Sequence, residues 1–462
     1  MTIITNAADK GYNEPKFCGR FIKRFRIKYL LRIANATKEK GVSSYELFSF
    51  LIGMIFSGKN LYTTLEICHE KTGFAKDTVY RFLNRASINW ERFIMQLSCL
   101  AISNVSKLTS DDRKNALIVD DSPYYRNRSK RVEMLSRCYD HVEKKFYKGL
   151  TLLTLGWSDG KTFIPVTSRL LGSGSEKNLL EGSRVKTDNR TLATKRRADA
   201  RKEKPALVME MLKAAKGTAA AAKYVLFDSW FASPSSLLSI AGIGFHVVAR
   251  LKNNRNFRYS YGMDTLSISE IYKANKKRRG KSRYLLSVEI GVRHKDYAEQ
   301  IPARIVYVRD KGNRKNWIAL ISTDMSLTEE DVIALYGKRW NIETFHKMIK
   351  SFLGLAKEFQ TRSYDAMTAH TAVVMTRYIL LSVETRENID GRSFGELFYE
   401  CCKEIEDITF VYALNLIVCA LISWLNEHLL LSKPVAEALL DEFIAELPLH
   451  IKDKLPIVMC ES

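Results

Sequence analysis

Apolar and polar positions divide the chain into regions of different texture. Residues 44–56 form an almost continuous apolar run of helical length. Residues 61–72 (LYTTLEICHEKT) place Leu61, Leu65 and Cys68 at helical spacing, and Gly73 interrupts before 75–85 (AKDTVYRFLNR) resume it. Helix, short glycine-containing turn, helix is the order of a helix-turn-helix, and equally of an ordinary helical hairpin. In the first reading Lys76, Thr78, Tyr80 and Arg81 are exposed toward DNA.

From 115 the pattern changes to short β-rich runs. Ala116–Val119 ends in Asp120-Asp121-Ser122, 149–157 (GLTLLTLGW) follows, Ser158-Asp159-Gly160 turns the chain, and 162–171 (TFIPVTSRLL) returns. That order predicts an antiparallel meander. Residues 183–204 carry nine Lys and Arg and read as an exposed loop. Residues 206–222 read as a helix, Tyr224–Phe227 as a strand ending at Asp228, 235–242 as a short helix and 245–251 (FHVVARL) as a further strand. Residues 252–315 break that rhythm: the basic run Lys276–Arg279 and the alternating segments Tyr284–Ile290 and Ala303–Val308 predict a mostly β insertion. Trp317–Ser322 reads as a strand, 327–357 as strongly helical and 364–446 as helices without strands.

The strongest apolar runs, Leu47–Phe56 and Leu416–Leu425, are ten residues each, too short to span a bilayer. The first fifteen residues are polar and show no signal-peptide pattern. The eight cysteines have no C-x-x-C spacing, which argues against a thiolate zinc site and a disulfide scaffold. These features predict a cytoplasmic protein with no membrane partner.

Charge adds a partner. Lys and Arg number 73 against 51 Asp and Glu, a net +22, and the simplest explanation is a polyanion, most often nucleic acid. Residues 16–32 (KFCGRFIKRFRIKYLLR) hold seven basic residues and no acidic one, as a basic arm or an amphipathic helix would.

Asp120 and Asp228 each follow an apolar strand. Strand-end carboxylates on neighbouring strands, with a third from a helix, suit the binding of two divalent cations. Residues 336–350 (YGKRWNIETFHKMIK) supply the third. Tyr336, Arg339, Glu343 and Lys350 are offset by three, four and seven residues, which on one helix puts all four on one face. An acid flanked by cations suits a metal ligand beside phosphate-gripping groups.

This spacing resembles the Tyr-Arg-Glu-Lys signature of bacterial insertion-sequence transposases of the DDE cut-and-paste class. Arg339-Trp340 and Phe345-His346-Lys347 resemble its surroundings. Asp120-x-Ser122 resembles the first acidic block and Leu226-Phe-Asp-Ser-Trp-Phe231 the second. The resemblance covers roughly 115–365. It implies an α/β fold with a ribonuclease-H-like catalytic core, a β insertion before the glutamate, and helical regions at both ends. The implied division is 1–105 as the helical DNA-binding region, 106–252 as the first part of the core, 253–322 as the insertion, 323–362 as the helix carrying the glutamate, and 363–462 as a C-terminal helical region that pairs subunits or packs on the core.

It further implies Asp120, Asp228 and Glu343 as catalytic ligands of two Mg2+ ions, with Mn2+ as the substitute. Asp120 is preferred to Asp121 because the family pattern is Asp-x-Ser/Thr. Tyr336, Arg339 and Lys350 would grip DNA near the element end, with Lys76, Arg81 and Trp317 as further DNA contacts. Trp317 and Trp230 are candidates for receiving an unstacked base. His346 reads as a satisfied helix histidine or a group supporting the ligands, and Asp159 as part of its turn. The implied partners are double-stranded DNA, as element ends and target, and a second copy of the chain. DNA affinity is then expected to fall steeply with salt, because phosphate contacts release counterions. The slope of log affinity against log salt measures this, and a flat response would remove the charge argument.

Overall fold

The computed structural model describes residues 16–387 apart from 58–60, 68–72, 111–112, 141–142, 184–187, 189, 218–221, 279–281, 311–312, 314–315 and 360, with a few isolated positions beyond 387. The C-terminal region read as a pairing surface lies, past Glu387, outside the described residues.

Strands β1 (Ala116–Tyr125), β2 (Ser136–Asp140), β3 (Lys145–Ser158) and β4 (Phe163–Leu171) open the sheet. Strands β5 (Tyr224–Phe227), β6 (His246–Arg250), β7 (Tyr259–Tyr261), β8 (Asp264–Leu266), β9 (Leu286–Val292), β10 (Ile301–Arg309) and β11 (Trp317–Ser322) complete it. The order is β2-β3-β1-β5-β6-β11-β10-β9-β7-β8, with β4 also on β3. β1 and β3 are antiparallel, whereas β1, β5 and β6 run parallel. The apolar starts of β1 and β5 are buried throughout, as central strands covered on both faces require. The strands between 253 and 322 continue this same sheet, because β11 pairs with β6.

Register positions the acidic residues. Ile118 lies opposite Leu226 on the parallel neighbour, so two residues further on Asp120 is level with Asp228, just past the end of β5. Neighbouring strands stand about 4.8 Å apart.

Helices α1 (Lys16–Arg24), α2 (Ile27–Ile33), α3 (Ser44–Met54), α4 (Leu61–Ile67), α5 (Lys76–Leu83) and α6 (Trp90–Ser106) precede the sheet. Helices α7 (Leu192–Asp199), α8 (Lys204–Lys216), α9 (Pro234–Gly242) and α10 (Ile268–Ala274) lie between strands. Helices α11 (Glu329–Gly337), α12 (Trp340–Ser351) and α13 (Tyr364–Glu387) follow it. α6 and α13 pack on β4, α12 packs on β1 and β4, and α8 packs on β3.

Several expectations change. β1 does not end before Asp120 but runs through it to Tyr125. β2 was not anticipated. The basic stretch 16–32 folds as two helices that bury Cys18, Phe21, Ile22, Phe25, Ile27, Leu30 and Leu31, so it is amphipathic rather than an extended arm. Within 183–204, read as a loop, α7 buries Arg197 against Glu133 (2.7 Å) and Asp365 (2.8 Å). On α5, Lys76 and Arg81 are exposed, but Thr78 and Tyr80 are half-buried.

α13 is long and apolar enough to span a bilayer by length and composition, and 94 % of that stretch is buried within the protein. The sequence hides it because Thr, His and Arg interrupt its apolar residues. At its middle the buried Arg377 donates to both oxygens of Glu358 (2.6 and 2.8 Å) and to the carbonyls of Ile52 (3.2 Å), Leu353 (3.3 Å) and Leu51. His370 Nε2 lies 3.1 Å from the same carboxylate. Burial works against the charge on Glu358, but Arg377 and His370 outweigh it and hold the carboxyl below its ordinary range. Burial lowers His370. The cluster clamps α3, the segment after α12 and α13 together. Removing one partner strands a buried charge, so Glu358→Gln should cost about 3 kcal/mol of unfolding free energy by chemical denaturation. A change under about 0.5 kcal/mol would contradict the clamp.

Candidate active site

Asp120, in mid-strand, turns to the face of the sheet that α12 covers. Asp121, one residue on, turns to the other face and forms an ion pair with Lys204 of α8 at 2.6 Å. Strand alternation thus separates two adjacent aspartates that the sequence alone leaves hard to tell apart.

The Tyr-Arg-Glu-Lys stripe is not one helix. α11 ends at Gly337 and α12 begins at Trp340, with Lys338 and Arg339 in a tight turn between. Bonds to the sheet fix this junction. Lys338 Nζ donates to the carbonyls of Lys114 (2.7 Å) and Asp159 (3.1 Å), and Asn341 Nδ2 donates to Ser158 Oγ (2.8 Å). Asp159 anchors its turn by accepting from the amides of Lys161 (2.9 Å) and Thr162 (2.7 Å) and the hydroxyl of Thr109 (2.9 Å). The docked junction aims Arg339 at the carboxylates. Its Nη1 is 3.1 Å from Glu343 Oε1 and 3.8 Å from Asp120 Oδ2, and its guanidinium carbon is 5.9 Å from the Tyr336 ring centre. Burial would lower Arg339, but Tyr336, Asp120, Asp228 and Glu343 outweigh it and raise the guanidinium. Arg339 thus bridges Asp120 and Glu343, with Tyr336 beside it and Asp228 within its electrostatic reach.

The remaining groups complete the wall. Asp228 Oδ1 accepts from the amide of Ser229 at 2.7 Å. Tyr336 is raised to about 12 by burial and by the charge of Asp228. Lys350 donates to Ser122 Oγ and stands 5.7 Å from the Tyr125 ring centre. Burial lowers Lys350 despite Asp140, Asp120 and Glu343. His346 Nδ1 is 3.9 Å from Asp120 Oδ2, but burial and Lys350 lower the ring to about 3, so the pair is not ionic at neutral pH. Asp120 and Arg339 side chains are 16 % and 15 % exposed, whereas Glu343 is 41 % exposed and opens the site to solvent.

Among the described residues no three His, Cys, Asp or Glu side chains stand close enough to cage an ion. Arg339 fills the gap between them. The donor chemistry nevertheless fits a hard cation. The three carboxylates offer oxygen only, the ligand type that magnesium takes. Burial, then the charges of Glu343 and Asp121, push Asp120 up to about 7 despite Arg339. Asp120, Asp228 and Glu343 are the residues that would hold such an ion.

Trp317 lies apart from this cluster, stacked on Tyr272 (ring centres 4.9 Å) and edge-on to Tyr307 (5.1 Å). It lines an open cleft of about 490 Å³ with Ser229, Arg250, Lys252, Asn253 and Lys273, beginning one residue past Asp228. Trp230 is exposed with Lys252 Nζ 4.9 Å from its ring centre. The cleft cations were missed in the sequence, although Arg250 ends the apolar strand β6 and Lys252 follows two residues later. Lys76 and Arg81 on α5 make none of the contacts of the acidic cluster. Arg81 bonds within its own helix, to the Asp77 carbonyl (3.3 Å) and Thr78 (3.4 Å).

The family model described as DDE superfamily endonuclease matches residues 45–311, a span that holds Asp120 and Asp228 and stops before Glu343. No curated protein matches the chain.

Raising a carboxyl from 3.8 to about 7 means the folded state holds a proton that the unfolded state has lost. Stability then falls as pH rises between these values and stays reduced above them. In metal-free buffer Asp120→Asn should therefore melt above wild type at pH near ~8, with the gap closing toward pH ~4. Thermal unfolding across that range checks it, and a variant that melts lower at every pH would contradict the raised Asp120 carboxyl.

Proposed function

The chain belongs to the DDE superfamily of endonucleases, and from that membership we propose that it is a DNA transposase that cleaves insertion-sequence ends and joins them to target DNA. The family gives a nuclease-type activity, and its members use divalent metal ions, generally Mg2+. The observation that carries the finer reading is the register that sets Asp120 on β1 level with Asp228, just past the parallel β5, with Arg339 bridging Asp120 and Glu343 from the junction of α11 and α12.

Asp120, Asp228 and Glu343 would hold two Mg2+ ions, with Mn2+ as substitute. Bound there, the ions supply activation of water or a DNA 3′-hydroxyl and stabilisation of the departing 3′ oxygen. The protein's own groups do the rest. Arg339 stands between Asp120 and Glu343, where its guanidinium would meet a phosphate of DNA bound at these carboxylates. Lys350, poised over Ser122 and Tyr125, supplies a second phosphate contact, and Tyr336 borders the site beside Asp228. Fixed cations of this kind position a phosphodiester for in-line displacement without reorganisation.

Double-stranded DNA, as element ends and as target, is the proposed substrate. The net charge of +22 and the cation-lined cleft beside Asp228 support it. A cut-and-paste route through a hairpin at the element end, two copies of the chain on paired ends and a cytoplasmic setting complete the reading. The exposed Lys76 and Arg81 on α5 are proposed as outer DNA contacts, and Trp317 as a contact in the cleft.

Asp228→Asn and Glu343→Gln should each reduce metal-dependent cleavage and joining of end DNA by at least about a thousandfold while DNA affinity stays within about threefold. Equal loss of binding and cleavage would mean that these residues are structural. Cleavage by wild type without joined strands would leave a hydrolytic endonuclease. Arg339→Ala should weaken end binding or joining, and wild-type activity in that variant would remove its phosphate role.

A further inference from the structure

Strands β2 and β3 form a hairpin that the proposed chemistry does not use. β1 accompanies β3 only as far as the pair Tyr125–Gly149. Lys148 still bonds Arg126 and Asn127 just after β1, and beyond it Lys145–Tyr147 ladder with β2, so the hairpin projects past the end of β1.

Its outward side chains follow from the two-residue alternation. Asp120 lies opposite Thr154 on β3, so Lys148 and Phe146 share the face of Asp120. Their partners on β2, Arg137 and Tyr139, lie on that face too. Phe146 is 56 % exposed and Tyr139 43 %. Their rings meet edge-on with centres 5.1 Å apart, and the Arg137 guanidinium carbon lies 4.1 Å from the Phe146 ring centre.

Two large aromatic rings thus lie side by side, each partly open to water. The segments flanking these strands are rich in basic residues. Arg128, Lys130, Arg131, Lys144 and Lys148 are exposed, and the exposed acid Glu143 is held by Lys145. Lys350 and Ser122 lie between this patch and Asp120 on the same face. Eight residues of strand separate Asp120's level from Phe146, roughly 26 Å.

We propose that the β2–β3 hairpin is a stacking platform for unpaired nucleotides of the DNA on which the acidic cluster acts. The proposal rests on the reading of the chain as a DNA-processing enzyme. Exposed rings on a strand surface offer a face to any base, and neighbouring cations follow the phosphates, which is how single strands are held without sequence preference. A duplex keeps its bases stacked on one another and offers no free base face, so it gains from the lysines and not from the rings.

The test compares affinities of the full chain for a labelled oligothymidylate of about 20 nucleotides and for a duplex of similar length. Phe146→Ala and Tyr139→Ala should each weaken oligothymidylate binding about tenfold and change duplex binding by less than about twofold, while Phe146→Tyr keeps wild-type affinity. Both rings are exposed, so folding is checked by an unchanged melting temperature. Unchanged oligothymidylate affinity, or equal loss on both probes, overturns the platform. Metal-dependent nicking of duplex by the same wild-type preparation separates the two levels. Nicking with unchanged oligothymidylate affinity in the variants overturns the platform alone. A wild type that neither nicks nor binds either probe overturns the DNA reading and the platform with it.

Discussion

Like charges in a confined space are the constraint on which this site depends. Asp120 in the middle of β1, Asp228 just past β5 and Glu343 in the first turn of α12 face one another around Arg339. Two carboxylates about 4 Å apart repel by roughly 4 kcal/mol at the effective dielectric of a protein surface. Arg339 offsets that repulsion by standing between Asp120 and Glu343, within the field of Asp228. Burial, with the charges of Glu343 and Asp121, nevertheless keeps Asp120 pushed up to about 7.

Much of the surrounding structure serves to deliver Arg339. The turn between α11 and α12 has neither glycine nor proline at its centre. It is held because Lys338 reaches the carbonyls of Lys114 and Asp159 while Asn341 reaches Ser158. Asp159 in turn is fixed by Thr109 and by the amides after it. The helix bearing Glu343 is therefore tied to the strand ends rather than resting on them. Behind it, the Arg377–Glu358 clamp joins α13 to α3 and to the segment after α12. The buried polar bonds of this chain concentrate where helices from both ends of the sequence meet the sheet.

How far the sequence reaches depends on where each signal resides. The apolar runs of β1, β5 and β6 announce central strands, and Ser158-Asp159-Gly160 announces its turn. Asp228 falls just past its strand for the same reason. Asp120 does not mark a strand end, because each of the two adjacent aspartates finds a cation on its own side, Arg339 or Lys204. No local pattern carries that information. Arg197 looks like surface in a basic stretch, and its burial depends on Glu133 and Asp365, distant in sequence. The offsets from Tyr336 to Lys350 suggest one helical stripe, yet tertiary bonds break the helix at Lys338. Strand β2, SRCYD, is too short and too polar to register against its neighbours. The cations of the Trp317 cleft belong to separate elements that only the sheet brings together.

The central claim is that Asp120, Asp228 and Glu343 together form a divalent-cation site. Counting Mn2+ bound per chain by electron paramagnetic resonance, with a DNA duplex present, tests it most directly. Wild type should bind Mn2+, and Asp228→Asn and Glu343→Gln should each lose most of that binding while still retaining DNA. Wild type without bound Mn2+, or variants that bind it undiminished, would contradict the claim.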